Sequence, residues 1–260
     1  MWESATFRYF IYGGSLVLLS EIVYHSHRVI KNWYNRKSME KELWALILTN
    51  ELTLYCPAKH TNNGKCLNKI NIIERGSLCS NPYCMDSNVQ IIVDLLNATK
   101  YSIDLAMYMI TSIPISEALA EASLRGVIVR VITEYSETAS MRSQAVYLLR
   151  FGAAVRFNTQ TSRNLMHHKF CVLDSPSTIK YLLKKRNMFD VKKSAEIDNI
   201  SSVLMTGSLN WTMRGYSSNY ENVLLTNQRQ MIQKYSDEFQ HMWELFAPKI
   251  TSNSVKYNLI

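Results

Sequence analysis

No long apolar core followed by a small-residue cleavage point argues for secretion, and Glu21 with the bulky Tyr24 would make a poor cleavage site, so a secretory leader is not expected. A disulfide framework is therefore not the first reading of its five cysteines, and a reducing compartment with metal ligation is favoured. No internal repeat supplies a second copy of any motif. No cluster of carboxylates accompanies the residues singled out below, so a catalytic divalent metal is not expected. Acidic charge is also scarce. Lys+Arg 29 against Asp+Glu 21 leaves a net charge of +8, which suits a polyanionic partner, either nucleic acid or an anionic membrane. Charge alone does not choose between them, because many basic proteins are merely kept soluble by it.

What is present begins with one stretch: Met166, His167, His168, Lys169, Phe170, Cys171, Val172, Leu173 and Asp174. Residues two apart on a strand share a face. A strand over residues 167–173 therefore projects His167 and Lys169 side by side and turns His168 away to pack. Downstream come Thr206, Gly207, Ser208, Leu209, Asn210 and Trp211, then Asn219, Tyr220, Glu221 and Asn222. An imidazole titrates near neutrality and can attack phosphorus. A fixed ammonium beside it can hold a phosphate oxygen. Three fixed positions of this kind recur by chance about once in 10^4 windows, and the Gly-Ser-x-Asn and Glu that follow make coincidence a poor account.

This constellation resembles the HKD signature of the phospholipase D superfamily, over residues 88–246. The wording "MHHKF", "TGSLNW" and "ENVLL" is similar to the single-motif, Zucchini-like mitochondrial branch. The resemblance implies a catalytic set of His167, Lys169, Asp174, Ser208, Asn210 and Glu221. His167 would form a phosphohistidine, while Lys169, Asn210 and Ser208 donate to the phosphate oxygens. Glu221 would orient the His167 ring, and Asp174, several residues along the strand, would act structurally. Such a mechanism needs two imidazoles. With one motif per chain, a homodimer joined at a two-fold axis is expected.

Three functions follow as expectations. One is an endoribonuclease cleaving single-stranded RNA, such as piRNA precursors, to 5′-phosphate ends. The second is a cardiolipin hydrolase that yields phosphatidate. The third is a non-catalytic mitochondrial scaffold, against which an intact motif argues as a sole role. Charge and resemblance favour RNA.

The remaining organisation is an α/β fold, with a central mixed sheet flanked by helices. Residues 88–260 form the catalytic domain. Residues 9–24 are mostly apolar, short for a spanning helix, and are followed by Arg28, Lys31, Arg36 and Lys37. Residues 1–37 are therefore expected to be a membrane anchor with a basic flank that keeps the catalytic part cytosolic. The resemblance places that anchor in the mitochondrial outer membrane. Residues 38–87 are expected to hold a linker helix and a zinc module. Cys56, Cys79 and Cys84 are spaced to grip one structural zinc, with His60 or Cys66 as the fourth ligand. The family's three-cysteine, one-histidine finger selects His60. Residues 175–201 depart from the family pattern as a long, basic, polar excursion. They read either as a surface loop or as a flap carrying phosphate contacts to the site.

Overall fold

The computed structural model describes residues 18–30, 43–54, 61–62, 65–66, 81–138, 140, 142–158 and 164–246; for 61–62 and 65–66 it gives backbone alone. The chain divides into two units, 1–42 and 43–260. In the first, residues 18–30 form a helix, α1, with Leu18, Leu19, Ile22, Val23, Val29 and Ile30 exposed. Among the described residues no helix is long and apolar enough to cross a membrane. Of the expected anchor and its basic flank, residues 1–17 and 31–37 lie outside the described residues.

The second unit is built on a seven-stranded mixed sheet of order β1-β9-β8-β7-β4-β5-β6. Its strands are β1 (Trp44–Thr49), β4 (Ser102–Met107), β5 (Ile128–Thr133), β6 (Ala154–Phe157), β7 (Lys169–Leu173), β8 (Val203–Gly207) and β9 (Glu221–Thr226). Outside this sheet β2 (Thr61–Asn62) pairs antiparallel with β3 (Lys65–Cys66), and two short helices, α4 (Tyr135–Thr138) and α8 (Met213–Ser217), follow β5 and β8. The β4, β5 and β6 strands run parallel, linked through helices, and the remaining pairings are antiparallel. β4 is buried on both faces, as a central strand flanked by helical layers should be.

One sheet face is covered by α2 (Met85–Ala98), α3 (Ile113–Leu124) and α5 (Ala145–Arg150), with a core that includes Ile92, Leu96, Leu105, Leu119, Val131 and Cys171. Pro114 in the first turn of α3 and Gly126 at φ 90° just beyond it start and stop that helix, as the sequence predicts. The opposite face carries α9 (Arg229–Leu245), whose Phe239, Met242 and Trp243 pack on Phe170, Val172 and Ile132. An ion pair lies inside this second layer. Arg130 grips both carboxylate oxygens of Asp104, at 2.7 and 2.8 Å, beneath Phe239 and Trp243. Such a pair is dear to break from one side only, because the survivor is left charged and buried.

Two expectations change. Residues 44–49, expected within a linker segment, form the edge strand β1, paired with β9 along its whole length. The sheet therefore begins well before residue 88. Residues 175–201 are neither a structureless loop nor a free flap. They form α6 (Pro176–Lys185), a 3-10 turn at Val191–Lys193 and α7 (Ser194–Asp198). Thr178 donates to Asp104 at 2.7 Å and Ser236 to Ser175 at 2.8 Å, which seats the insertion on the sheet and on α9.

Candidate active site

The motif residues gather at one rim of the sheet, where β7 begins and β8 ends. β7 starts at Lys169, so His167 sits in the extended segment just before it instead of within the strand. That segment is pinned from behind. Met166 is buried in the second core, and its amide donates to the buried Glu134 carboxylate at 2.7 Å. Tyr108 N–H takes the carbonyl of His168 at 3.0 Å. His167 is left exposed at the surface, its ring edge-on to Tyr108 with centroids 4.9 Å apart.

Lys169 stays beside His167, as the spacing predicts. Its ammonium donates to the His167 carbonyl at 2.8 Å and stands 5.1 Å from the Tyr108 ring centroid. Partial burial lowers the Lys169 pKa, and the Glu221 carboxylate acts against that shift. Tyr108 thus touches both members of the motif, and its hydroxyl donates to Glu137 at 3.1 Å. Burial and the nearby Glu137 raise its own pKa. Nothing in the motif pointed to Tyr108. The only signal is its place one residue past the end of an apolar strand, opposite the motif strand in register.

The second cluster closes the site from β8 and β9. Ser208 and Asn222 are locked together: Ser208 N–H donates to the Asn222 carbonyl at 3.1 Å, and Asn222 N–H donates to the Ser208 hydroxyl at 3.1 Å. Gly207 permits this approach, since a Cβ there would fall inside the Asn222 carbonyl. The Ser208 hydroxyl donates in turn to Glu221. Among the described residues the hydrogen-bond partners of Glu221 are Ser208 and Asn219, the latter at 3.2 Å, and not the His167 ring it was expected to orient. Asn210 follows on the turn into the β-bridge between Ile110 and Trp211. Its Oδ1 is buried and meets no hydrogen-bond donor among the described residues. Stability alone does not select such a group.

Asp174 stands apart. It sits at the opposite end of β7, about 16 Å from Lys169 by strand rise, in a left-handed conformation at φ 52°. Its carboxylate accepts three backbone N–H groups, from Lys100, Tyr101 and Ser102, at 2.7–2.9 Å. Through these contacts it fastens β4 to β7. His168 packs edge-on against Phe170 and lies 3.7 Å from Glu238. Of the expected zinc ligands, Cys56, His60 and Cys79 lie outside the described residues, as does the side chain of Cys66. Cys84 is buried at the start of α2, where its sulfur accepts the Ser87 N–H at 3.4 Å.

Residues 92–243 match the family described as Cardiolipin synthase, PLD-like domain. The mitochondrial cardiolipin hydrolase of Drosophila melanogaster is 31% identical over 233 residues, covering 90% of this chain and 87% of that protein. Its Xenopus laevis counterpart is 32% identical over 170 residues, 65% of this chain and 67% of that one. The Homo sapiens protein is 31% identical over 176 residues, 68% of this chain and 58% of its own length. The chain belongs to the phospholipase D-like family and is a phosphodiesterase of that type.

Proposed function

We propose that this protein is an endoribonuclease for single-stranded RNA, acting as a homodimer through a phosphohistidine on His167. The observation that carries the reading is the meeting of His167, Lys169, Ser208 and Asn210 at one exposed sheet rim. His167 attacks the phosphorus, and the bond to the 3′-oxygen breaks as the partner subunit's His167 gives that oxygen a proton. Water then attacks the phosphohistidine and returns a proton to the partner's His167. The downstream fragment leaves with a 5′-phosphate, and the histidine is free again. Lys169 and Asn210 hold the non-bridging oxygens, where fixed donors contribute most in the transition state. Glu221 holds the Ser208 hydroxyl in place and opposes the lowering of the Lys169 pKa by burial. The net charge of +8 suits a polyanionic strand.

A second substrate, cardiolipin, is favoured by the activity named in the relatives. The chemistry at phosphorus is the same, with phosphatidate as product. Wild-type protein and His167→Asn, each offered single-stranded RNA and cardiolipin vesicles in parallel, separate the two readings. RNA products with 5′-phosphate and 3′-hydroxyl ends support the first, and cyclic 2′,3′-phosphates contradict it. Hydrolysis of cardiolipin alone moves the assignment to the lipid.

The proposed location is the mitochondrial outer membrane with the catalytic unit in the cytosol. Apolar residues 9–24, the basic flank after them and the mitochondrial relatives support it. A structural zinc held by Cys56, His60, Cys79 and Cys84 belongs to the same proposal. A buried Cys84 sulfur that accepts an amide N–H is suited to a thiolate ligand. Metal analysis should find about one zinc per chain, reduced in Cys84→Ser. Brief EDTA treatment should leave hydrolysis intact, and loss restored by magnesium would contradict the histidine mechanism.

A further inference from the structure

The insertion between β7 and β8 carries a feature that the phosphodiesterase reading does not use. Both of its ends join the sheet at Leu173 and Val203, the end remote from Lys169 and Gly207. Within residues 184–193 stand five cations, Lys184, Lys185, Arg186, Lys192 and Lys193, against one carboxylate, Asp190. Asp190 is already engaged, accepting the Lys192 N–H at 2.8 Å to start the 3-10 turn. Another insertion lysine, Lys180, pairs with Asp198 at 2.7 Å. Lys184, Lys185, Arg186 and Lys192 are exposed at the tip.

Cations alone would read as a solvated surface. What differs here is that aliphatic side chains are held outward among them. Helix α6 ends in a cap with Asn187 left-handed at φ 55°, the Met188 N–H bonded to Leu183 O at 2.9 Å and the Asn187 N–H to Lys184 O at 3.0 Å. In such a cap the residue in Met188's place commonly folds back on the one in Leu183's place. Met188 instead remains 67% exposed, and Val191, on the following turn, is 77% exposed. Phe189 between them lies under the Lys184 ammonium, 5.2 Å from its ring centroid. A helix-capped tip thus presents Met188 and Val191 among positive charges. A nucleic acid strand would engage the cations but leave Met188 and Val191 in water. A lipid interface takes up both, the aliphatics at the acyl boundary and the ammonium groups among anionic headgroups.

The geometry points to the tip at residues 184–193 as a docking surface for an anionic lipid membrane. It is a contact separate from the N-terminal segment and from the catalytic rim. Clustered like charge raises the cost of the tip in free solution, and an anionic surface removes that cost.

The test uses the full chain with vesicles of phosphatidylcholine alone or phosphatidylcholine mixed with phosphatidylserine. Hydrogen–deuterium exchange over residues 184–193 should slow when the chain is bound to the mixed vesicles. Met188→Ser with Val191→Ser should abolish that protection. Lys184→Gln with Lys185→Gln should cut the preference for phosphatidylserine on the order of tenfold, and added salt should erode it. Unchanged melting temperatures show that the variants fold. Vesicle-bound chain with no protection over 184–193, or no binding to mixed vesicles at all, overturns the proposal. So does a lysine pair variant that loses retention of single-stranded RNA while its vesicle binding stays at the parent level.

Discussion

The two ends of strand β7 are built to opposite rules. At the far end the charged groups are paired: Asp174 takes three amides, its carbonyl takes the Ser202 hydroxyl at 2.7 Å, and Arg130 and Asp104 grip one another under aromatic rings. At the near end, among the described residues, the Lys169 ammonium donates to one backbone acceptor and has a lowered pKa, Asn210 keeps a buried oxygen without a donor, and His167 faces outward. Five residues of one strand separate an end whose carboxylates are fully engaged from an end that keeps a histidine and a lysine available. The far end supplies the stability that lets the near end hold groups in states folding alone would not choose. Mutations at the two ends should therefore fall into different classes.

The largest effect expected is on rate. His167→Asn should lower hydrolysis by about 10^4-fold or more while the melting temperature stays near that of the parent. Turnover assays alongside a melting curve check both halves of that statement. Next, Asp174→Ala should cost about 3–5 kcal/mol, through three amides deprived of a charged acceptor and a left-handed backbone that alanine resists. Urea denaturation measures it. A variant as stable as the parent would erase the contrast drawn here. Gly207→Ala should cost about 1–3 kcal/mol by forcing β8 away from the Asn222 carbonyl. It should also uncouple Ser208 from Asn222, lowering turnover by more than its stability loss explains.

The smallest effect is the one most specific to the comparison. Lys169 has a lowered pKa in the folded protein, so between that value and the ordinary lysine value the unfolded chain binds more protons. Stability therefore rises with pH across that window, as the penalty for a half-buried ammonium disappears. Lys169→Met should melt slightly higher than the parent at neutral pH, lose that rise and lose activity. A lower melting temperature would mean the ammonium holds the fold together.

Much of this was legible in the residues. The pairing of His167 with Lys169, the turn at Ser208 and Asn210, and the alternation that gives β4 through β7 follow from spacing and apolar pattern. β1 did not, because Trp44, Leu46 and Leu48 are apolar although exposed, while Ala45 and Ile47 face the core. Both faces being apolar hides the two-residue period, and a short apolar run is ambiguous between helix and strand. The insertion was misread from its lysines, although Ser175-Pro176 is a helix-start signal and Ile179 faces inward. The contacts of Tyr108 with His167 and of Glu221 with Ser208 are tertiary. They depend on which strands become neighbours, and local spacing does not encode that.

The central claim is a covalent bond between His167 and phosphorus. Rapid quenching in a mildly alkaline denaturant, which preserves a P–N bond that acid would hydrolyse, of the protein with a short single-stranded RNA and with cardiolipin, followed by peptide mass analysis without acid, reads it directly. The account predicts a phosphorylated adduct on the peptide holding His167, absent from His167→Asn and formed without added divalent metal. An enzyme that turns over fully while no adduct can be trapped, and whose products require direct attack by water or by a 2′-hydroxyl, would contradict it.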